Sequence, residues 1–449
     1  MELKRQLGLR TATALVVGEV IAVGIFLTPA GMAKSLGSPA LVLLVWVLMG
    51  AMALLGALCY GELAARYPEA GGGYVYLRES YGPVLAFLYG WMALLVMDPG
   101  LTAALAVGLA SYAGYSLALS PVGTKVLGIG VIMTLAALNI RGVKLGGGIV
   151  RWLTIIKLGF LAFVLLWGFG SQRGNWIHFS PFLGHPSQSL PFAQLAAGLI
   201  GAFFSFGGWW DMSKLSGEVR EPNYTLPRAM AFGVMIVTLV YILTSAVFVY
   251  LVAPDQVTSG ETFAAQAGEV LFGRFGGQVF SLIVIVSVLG SIAAVVISAP
   301  RVYYAMAQDG LFFPGAAALH PRWGTPARAI ALQAVLASVL VVFSNFQSIV
   351  AYFFFVVVVF LALSVAAIFV LRRKGATATT YSTPGYPITP IVFLAMVTLV
   401  LILLAAGDPQ HSFMGVAMVA LGAPVYYLFV RPRSMTNKDG ESSRSELTQ

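Results

Sequence analysis

From about residue 12 to about residue 430 the chain repeats one pattern, apolar runs close to 20 residues long separated by short polar connections. That is the length an α-helix needs to cross a hydrocarbon core of ~30 Å. The pattern fixes the fold class, because a backbone in lipid has no water to bond and must satisfy its own N–H and C=O groups. Continuous apolar stretches punctuated by Gly and Pro do so as helices, whereas barrel strands alternate over about ten residues. The sequence therefore predicts an all-α integral membrane protein of about twelve spans. Composition agrees: 59% of residues are hydrophobic and 10% charged, against about 25% charged in soluble domains.

Charge placement predicts the orientation. With the N-terminus inside, the outer loops hold only Lys34, Lys125, Arg173 and Arg274 of the 26 Lys and Arg, and Lys157 falls within a span. Both tails are then expected on the cytoplasmic side of a plasma (inner) membrane. Orientation and anionic headgroups account for the net charge of +9, so the lipid membrane is the expected macroscopic partner and nucleic acid is not needed. The head MELKRQLGLR runs into a full-length span without a cleavage pattern, so no signal peptide is expected. The single cysteine, Cys59, lies in an apolar run and excludes a disulfide or thiolate metal site. His178, His185, His320 and His411 are dispersed over predicted loops. No metal site, no cofactor and no Ser/His/Asp grouping is expected, which leaves catalysis little to work with.

Two spans, the first and the sixth, carry interruptions. In VVGEVIAVGIFLTP, Gly18 and Gly24 bracket Glu19 and Ala22; in FFSFGGWWDMSK, Gly207 and Gly208 separate aromatic residues. Glycine permits backbone angles other residues resist, and a broken helix exposes amide N–H groups on one half and carbonyls on the other. Such ends suit a zwitterion, a free amino acid for instance, with its carboxylate on the amides and its ammonium on the carbonyls. Glycines also serve close helix packing, so for each group alone both uses stay open. Their placement is what two five-helix inverted repeats predict when their first helices meet at the midplane. The expected organisation is an N-tail over 1–11, repeats over 12–170 and 192–371, two added helices over 388–430, and a C-tail over 431–449.

Several ordered stretches, VIAVGIFLTP, GELAARYPEAGGGYVYLRESYG, FFSFGGWWDMSKLSGEVREPNYTLP and RVYYAMAQDGLFFP, resemble motifs of the amino acid, polyamine and organocation transporter superfamily. They are most similar to its L-type amino acid transporter-like branch. The first matches that family's IGSGIF motif, the second its loop after span two, the third its sixth span and following loop, and the fourth its loop after span eight. The resemblance implies a LeuT-type fold, ten core helices plus two, working by alternating access. It implies that backbone around Ile21, Ala22, Val23 and Gly24 holds a substrate carboxylate, and that backbone around Phe204, Ser205 and Gly207 faces the amino group. Phe204 would close the pocket as a gate and Trp209 would line the side-chain compartment. Lys157 falls where sodium-independent members carry a lysine, so its ammonium would replace a sodium ion, with Ser287 and Ser291 as neighbours. The family's Gly-Ser pair is Ala22-Val23 here, which narrows the pocket. Eukaryotic members pair with a single-span subunit through an extracellular cysteine; with Cys59 placed in the membrane, no disulfide-linked partner is expected here.

Two carboxylates in the spans, Glu19 and Asp98, are not part of that motif. A buried carboxylate is unfavourable by roughly 2.5–3.5 kcal/mol on insertion scales and is by default functional. With Lys157 they make two acids and one base, leaving one carboxylate in excess. Three uses are open: a proton-coupling site, a partner for a cationic amino acid or polyamine, or a structural acid paired to Lys157. Charged residues in the two predicted inner loops, Glu62, Arg66, Glu69, Arg78 and Glu79, then Lys214, Glu218, Arg220 and Glu221, are candidates for an inner gate. The predicted function is a sodium-independent permease for amino acids, neutral ones first, as an exchanger or with protons. An intramembrane enzyme built on a Glu19–Asp98 acid pair and a non-transporting amino acid receptor are the rivals from other classes; short tails disfavour the receptor.

Overall fold

A computed structural model describes residues 3–180, 192–253, 256–257, 263–343, 346–375 and 380–430. His185 and the tail over 431–449 lie outside the described residues. The chain is helical throughout, apart from a single bridge between Leu7 and Val219 among the described residues. The first span is two helices, α1 (Leu9–Val20) and α2 (Gly24–Leu36), bent by 45° across the unwound residues between them. The second is α3 (Pro39–Arg66), a short helix α4 (Gly73–Tyr81) follows, and the third joins α5 (Pro83–Met92) to α6 (Asp98–Leu117). The fourth and fifth are α7 (Pro121–Ile140) and α8 (Val143–Gly170).

At the sixth position α9 (Phe192–Ser205) ends in a turn and continues as a 3-10 segment, Trp209–Glu218. Then come α10 (Pro222–Leu251), α11 (Phe263–Phe272), α12 (Gly276–Ser298), α13 (Pro300–Gln308), α14 (Ala327–Phe343), α15 (Phe346–Arg373), α16 (Ile388–Gly407) and α17 (Pro409–Ala420). Among the described residues nine helices are long and apolar enough to cross a membrane, ten if the bent pair counts as one span. Two shorter apolar helices, α9 of 14 residues and α14 of 17, occupy the sequence positions of the sixth and ninth predicted spans.

Local chemistry explains the ends. Pro39 and Pro121 open α3 and α7 where a missing N–H does no harm, and Ser38 and Ser120 cap them by accepting from Leu41 N (3.3 Å) and Gly123 N (3.1 Å). Pro99, inside the third span, removes an amide from the helical ladder. A π-turn over Ala93–Met97 precedes it, carrying the Asp98 N–H back to the Ala93 carbonyl.

Packing sets the interrupted spans at the centre. α1 lies against α8, α10 and α12, and α2 lies against α9. The two interruptions touch: a Cβ on Gly24 would stand 2.6 Å from the Ser205 hydroxyl and 2.9 Å from its Cα. Gly208 has φ +107, and a Cβ there would stand 2.9 Å from Glu19 Cγ. Glycine is thus required at Gly208 twice over, by backbone angle and by space.

Gly208→Ala is expected to lower the thermal midpoint of the detergent-solubilised protein, the strain alone being worth roughly 1–3 kcal/mol. A wild-type midpoint in a fluorescence melt would contradict this account of the second interruption.

Candidate functional site

A cavity of about 80 Å³ lies where the two interruptions meet. One water needs roughly 10–15 Å³ on this measure, so the space holds several waters or a small solute. Glu19, Val20, Ala22, Val23 and Gly24 form one wall, and Phe204, Ser205, Gly207, Gly208, Trp210 and Asp211 another. Met97, Asp98, Leu101, Ala104 and Leu105 of the third span, Val295 of α12, and Phe354 and Val357 of α15 complete it. The opening amides of α2 have no helical acceptor four residues back, which leaves N–H donors free to meet an anion at this wall. Phe204 packs edge-on against Phe354, with ring centroids 5.5 Å apart.

Lys157 is fully buried and reaches the first interruption from α8. Its ammonium donates to the carbonyls of Gly18 (2.9 Å), Ile21 (2.6 Å) and Ser287 (2.7 Å). Three donors meet three acceptors, so the group is saturated. The Ser291 hydroxyl donates to the Gly18 carbonyl (2.8 Å) and approaches that of Ile21 (3.3 Å). Ile21 is therefore engaged through its carbonyl, behind the cavity wall that Ala22, Val23 and Gly24 form. A pairing of Glu19 with Lys157, one of the three uses considered for the acid, is not what the side chains do, because carbonyls take every proton of the lysine.

The sixth span departs from the sequence reading in three ways. Trp209 does not line the cavity; it is buried against Tyr60, Trp210 and Phe393, with ring centroids 5.3, 5.4 and 6.5 Å away. Trp210 lines the cavity in its place. Lys214, assigned from sequence to an inner loop, is fully buried and ion-paired to Asp98 (2.8 Å) and Asp211 (3.0 Å). Tight 3-10 winding after Gly208 keeps this stretch inside the bundle, and so shifts which side chains face inward. The Tyr303 hydroxyl contacts Asp98 from α13 at 3.3 Å.

Tyr241 and Arg301 had no signal in the sequence, and Glu218 was assigned to an inner loop. The Tyr241 hydroxyl stands between the carbonyls of Val20 (2.9 Å) and Ser205 (2.8 Å), linking the two interruptions from α10. Glu218 and Arg301, both buried, pair at 2.6 Å. The Glu218 carbonyl also accepts from the amides of Gln6 (2.8 Å) and Leu7 (2.9 Å), fastening the N-terminal segment across this end of the bundle. Glu62 is likewise not a loop residue: it lies buried in α3 and accepts from Arg372 (2.6 and 3.0 Å), Arg66 (3.2 Å) and the Thr383 amide (2.8 Å). Of the other inner-gate candidates, Arg78 pairs with Glu69 (3.3 Å) and Glu79 (2.8 Å) and also with Asp309 (2.6 Å), in a half-exposed cluster.

Removing Lys214 strands two buried carboxylates. Lys214→Met is expected to destabilise the protein by about 3–5 kcal/mol, read as a large drop in thermal midpoint, and adding Asp98→Asn to recover part of it. Additive losses in the double variant would contradict the pairing.

Residues 7–429 match the family model described as amino acid permease. The serine/threonine exchanger SteT of Bacillus subtilis (strain 168) is 32% identical, over 95% of this chain and 97% of that protein. The large neutral amino acids transporter small subunit 2 of Homo sapiens is 27% identical over 95% of this chain and 81% of its own length. The Asc-type amino acid transporter 1 of Mus musculus is 28% identical over 96% and 82%. These relatives are carriers and not enzymes, which sets aside the acid-pair enzyme. A match that spans the helices, both interruptions and the cavity between them places this multi-pass membrane protein in the amino acid permease family, within the amino acid, polyamine and organocation transporter superfamily.

Proposed function

We propose that the chain is a sodium-independent secondary transporter that moves amino acids, neutral L-amino acids first, across a plasma membrane by alternating access. The single observation that carries this reading is the seat of the Lys157 ammonium on the carbonyls of Gly18, Ile21 and Ser287. A cation at that point ties α1 to α8 and α12, and a lysine supplies the charge without a bound metal ion. The substrate sits in the cavity, its carboxylate on the amides of Val23 and Gly24 beside Ala22, whose own N–H is held by the Val20 carbonyl (2.8 Å), with Phe204 closing above it. The paired five-helix repeats move about this point, and both tails stay on the cytoplasmic side, in keeping with the charge distribution. The relatives' printed substrates, serine and threonine or large neutral amino acids, support neutral solutes. Cys59 is fully buried in α3, so a disulfide to a partner subunit is not part of this reading. A second reading, transport of cationic amino acids or amines, is favoured by one observation, the excess of carboxylates over ammonium groups on the cavity wall.

Uptake of a radiolabelled amino acid panel into proteoliposomes tests this. Replacing sodium by choline is expected to leave uptake unchanged, and either internal amino acid or a pH gradient to drive it. Binding without flux would make the protein a receptor, and a sodium requirement would overturn the role given to Lys157.

A further inference from the structure

We infer that Glu19 and Asp211 form a carboxylate site for the ammonium group of the transported solute, and that a solute with net positive charge is held in preference to a zwitterion of equal size. The inference rests on the second reading above, transport of cationic amino acids or amines, and names the residues behind it. Glu19 belongs to the first interrupted span and Asp211 to the sixth; they are neighbours on the cavity wall and only 6% and 2% exposed. One oxygen of each, Glu19 Oε1 and Asp211 Oδ1, is buried without a hydrogen-bond partner. The second oxygen of Asp211 and both oxygens of Asp98 are engaged: Lys214 holds one of each, and Tyr303 meets the remaining oxygen of Asp98.

A carboxylate only accepts, so whatever satisfies the two open oxygens must donate, and leaving them open in a membrane interior is unfavourable. Charge narrows the choice. Three carboxylates face one ammonium in this cluster, and Lys157 is taken up by carbonyls. The missing partner therefore carries positive charge: a proton shared between the two acids when no solute is bound, and an ammonium in its place when one is. Among the described residues no three His, Cys, Asp or Glu side chains come together as a metal-holding group. An alkylammonium presents three protons and fits a cavity of this size. Gly208, lacking a Cβ, lets the sixth span close onto Glu19. An ammonium between Glu19 and Asp211 joins the two spans whose relative movement transport requires.

The test is competition in proteoliposomes against uptake of whichever labelled amino acid the wild-type protein carries. L-Lysine and L-norleucine match in length and differ in the terminal ammonium; cadaverine carries ammonium groups without a carboxylate. L-Lysine and cadaverine are expected to compete at concentrations about tenfold or more below norleucine, and Glu19→Gln and Asp211→Asn each to bring that ratio near one. Glu19→Asp, which keeps the charge, is expected to retain the ranking, and it decides the matter if the neutral variants fail to fold. Norleucine outcompeting both cations in the wild type would overturn the inference and leave the transport reading intact. So would a Glu19→Gln variant that keeps the ranking but loses pH-driven uptake, since the pair would then carry a proton. Absence of uptake for any labelled amino acid would instead overturn the transport reading.

Discussion

A helix interrupted inside a membrane leaves carbonyls and amides that lipid cannot satisfy, and in this protein the rest of the core is arranged around that demand. The carbonyls at the end of α1 are met by one lysine from α8 and one serine from α12, with a tyrosine from α10 close by. Each partner arrives on a different helix. The interruption therefore acts as the point to which α8, α10 and α12 are fastened, and α1 touches all three. Amides at the start of α2 face the cavity, where we propose the solute carboxylate sits.

The same cavity carries its polarity unevenly. Lys214, Asp98 and Asp211 form a buried network that could be stabilised further by apolar replacement, since buried ion pairs rarely repay their desolvation. Its place beside a solute-sized space fits the binding role proposed for it. Away from the cavity, the buried Glu218–Arg301 pair and the N-terminal segment on the Glu218 carbonyl hold one end of the bundle together.

Much of this was legible in the sequence, because the strongest signals were physical necessities. Run length pointed to an all-helical membrane protein, glycines marked both interruptions, and Glu19, Asp98 and Lys157 stood out as charges where lipid disfavours them. What escaped depended on winding. Sequence placed Lys214 in a loop because the stretch after Gly208 is polar, yet tight 3-10 turns keep it buried and exchange Trp210 for Trp209 at the cavity. Glu62 was misplaced for a related reason, since its partners Arg372 and Thr383 are more than 300 residues away in sequence. Tyr241 could not be distinguished from any interfacial tyrosine, as only the fold brings its hydroxyl to two carbonyls.

The account turns on the ammonium of Lys157 holding the first interruption in a binding-competent shape. The most direct measurement is equilibrium binding of a transported amino acid to purified, monodisperse Lys157→Ala, beside the wild type and Lys157→Arg. The account predicts that the alanine variant folds but binds at least about tenfold more weakly, one or more charge-assisted hydrogen bonds being lost. Wild-type affinity in the alanine variant would contradict it.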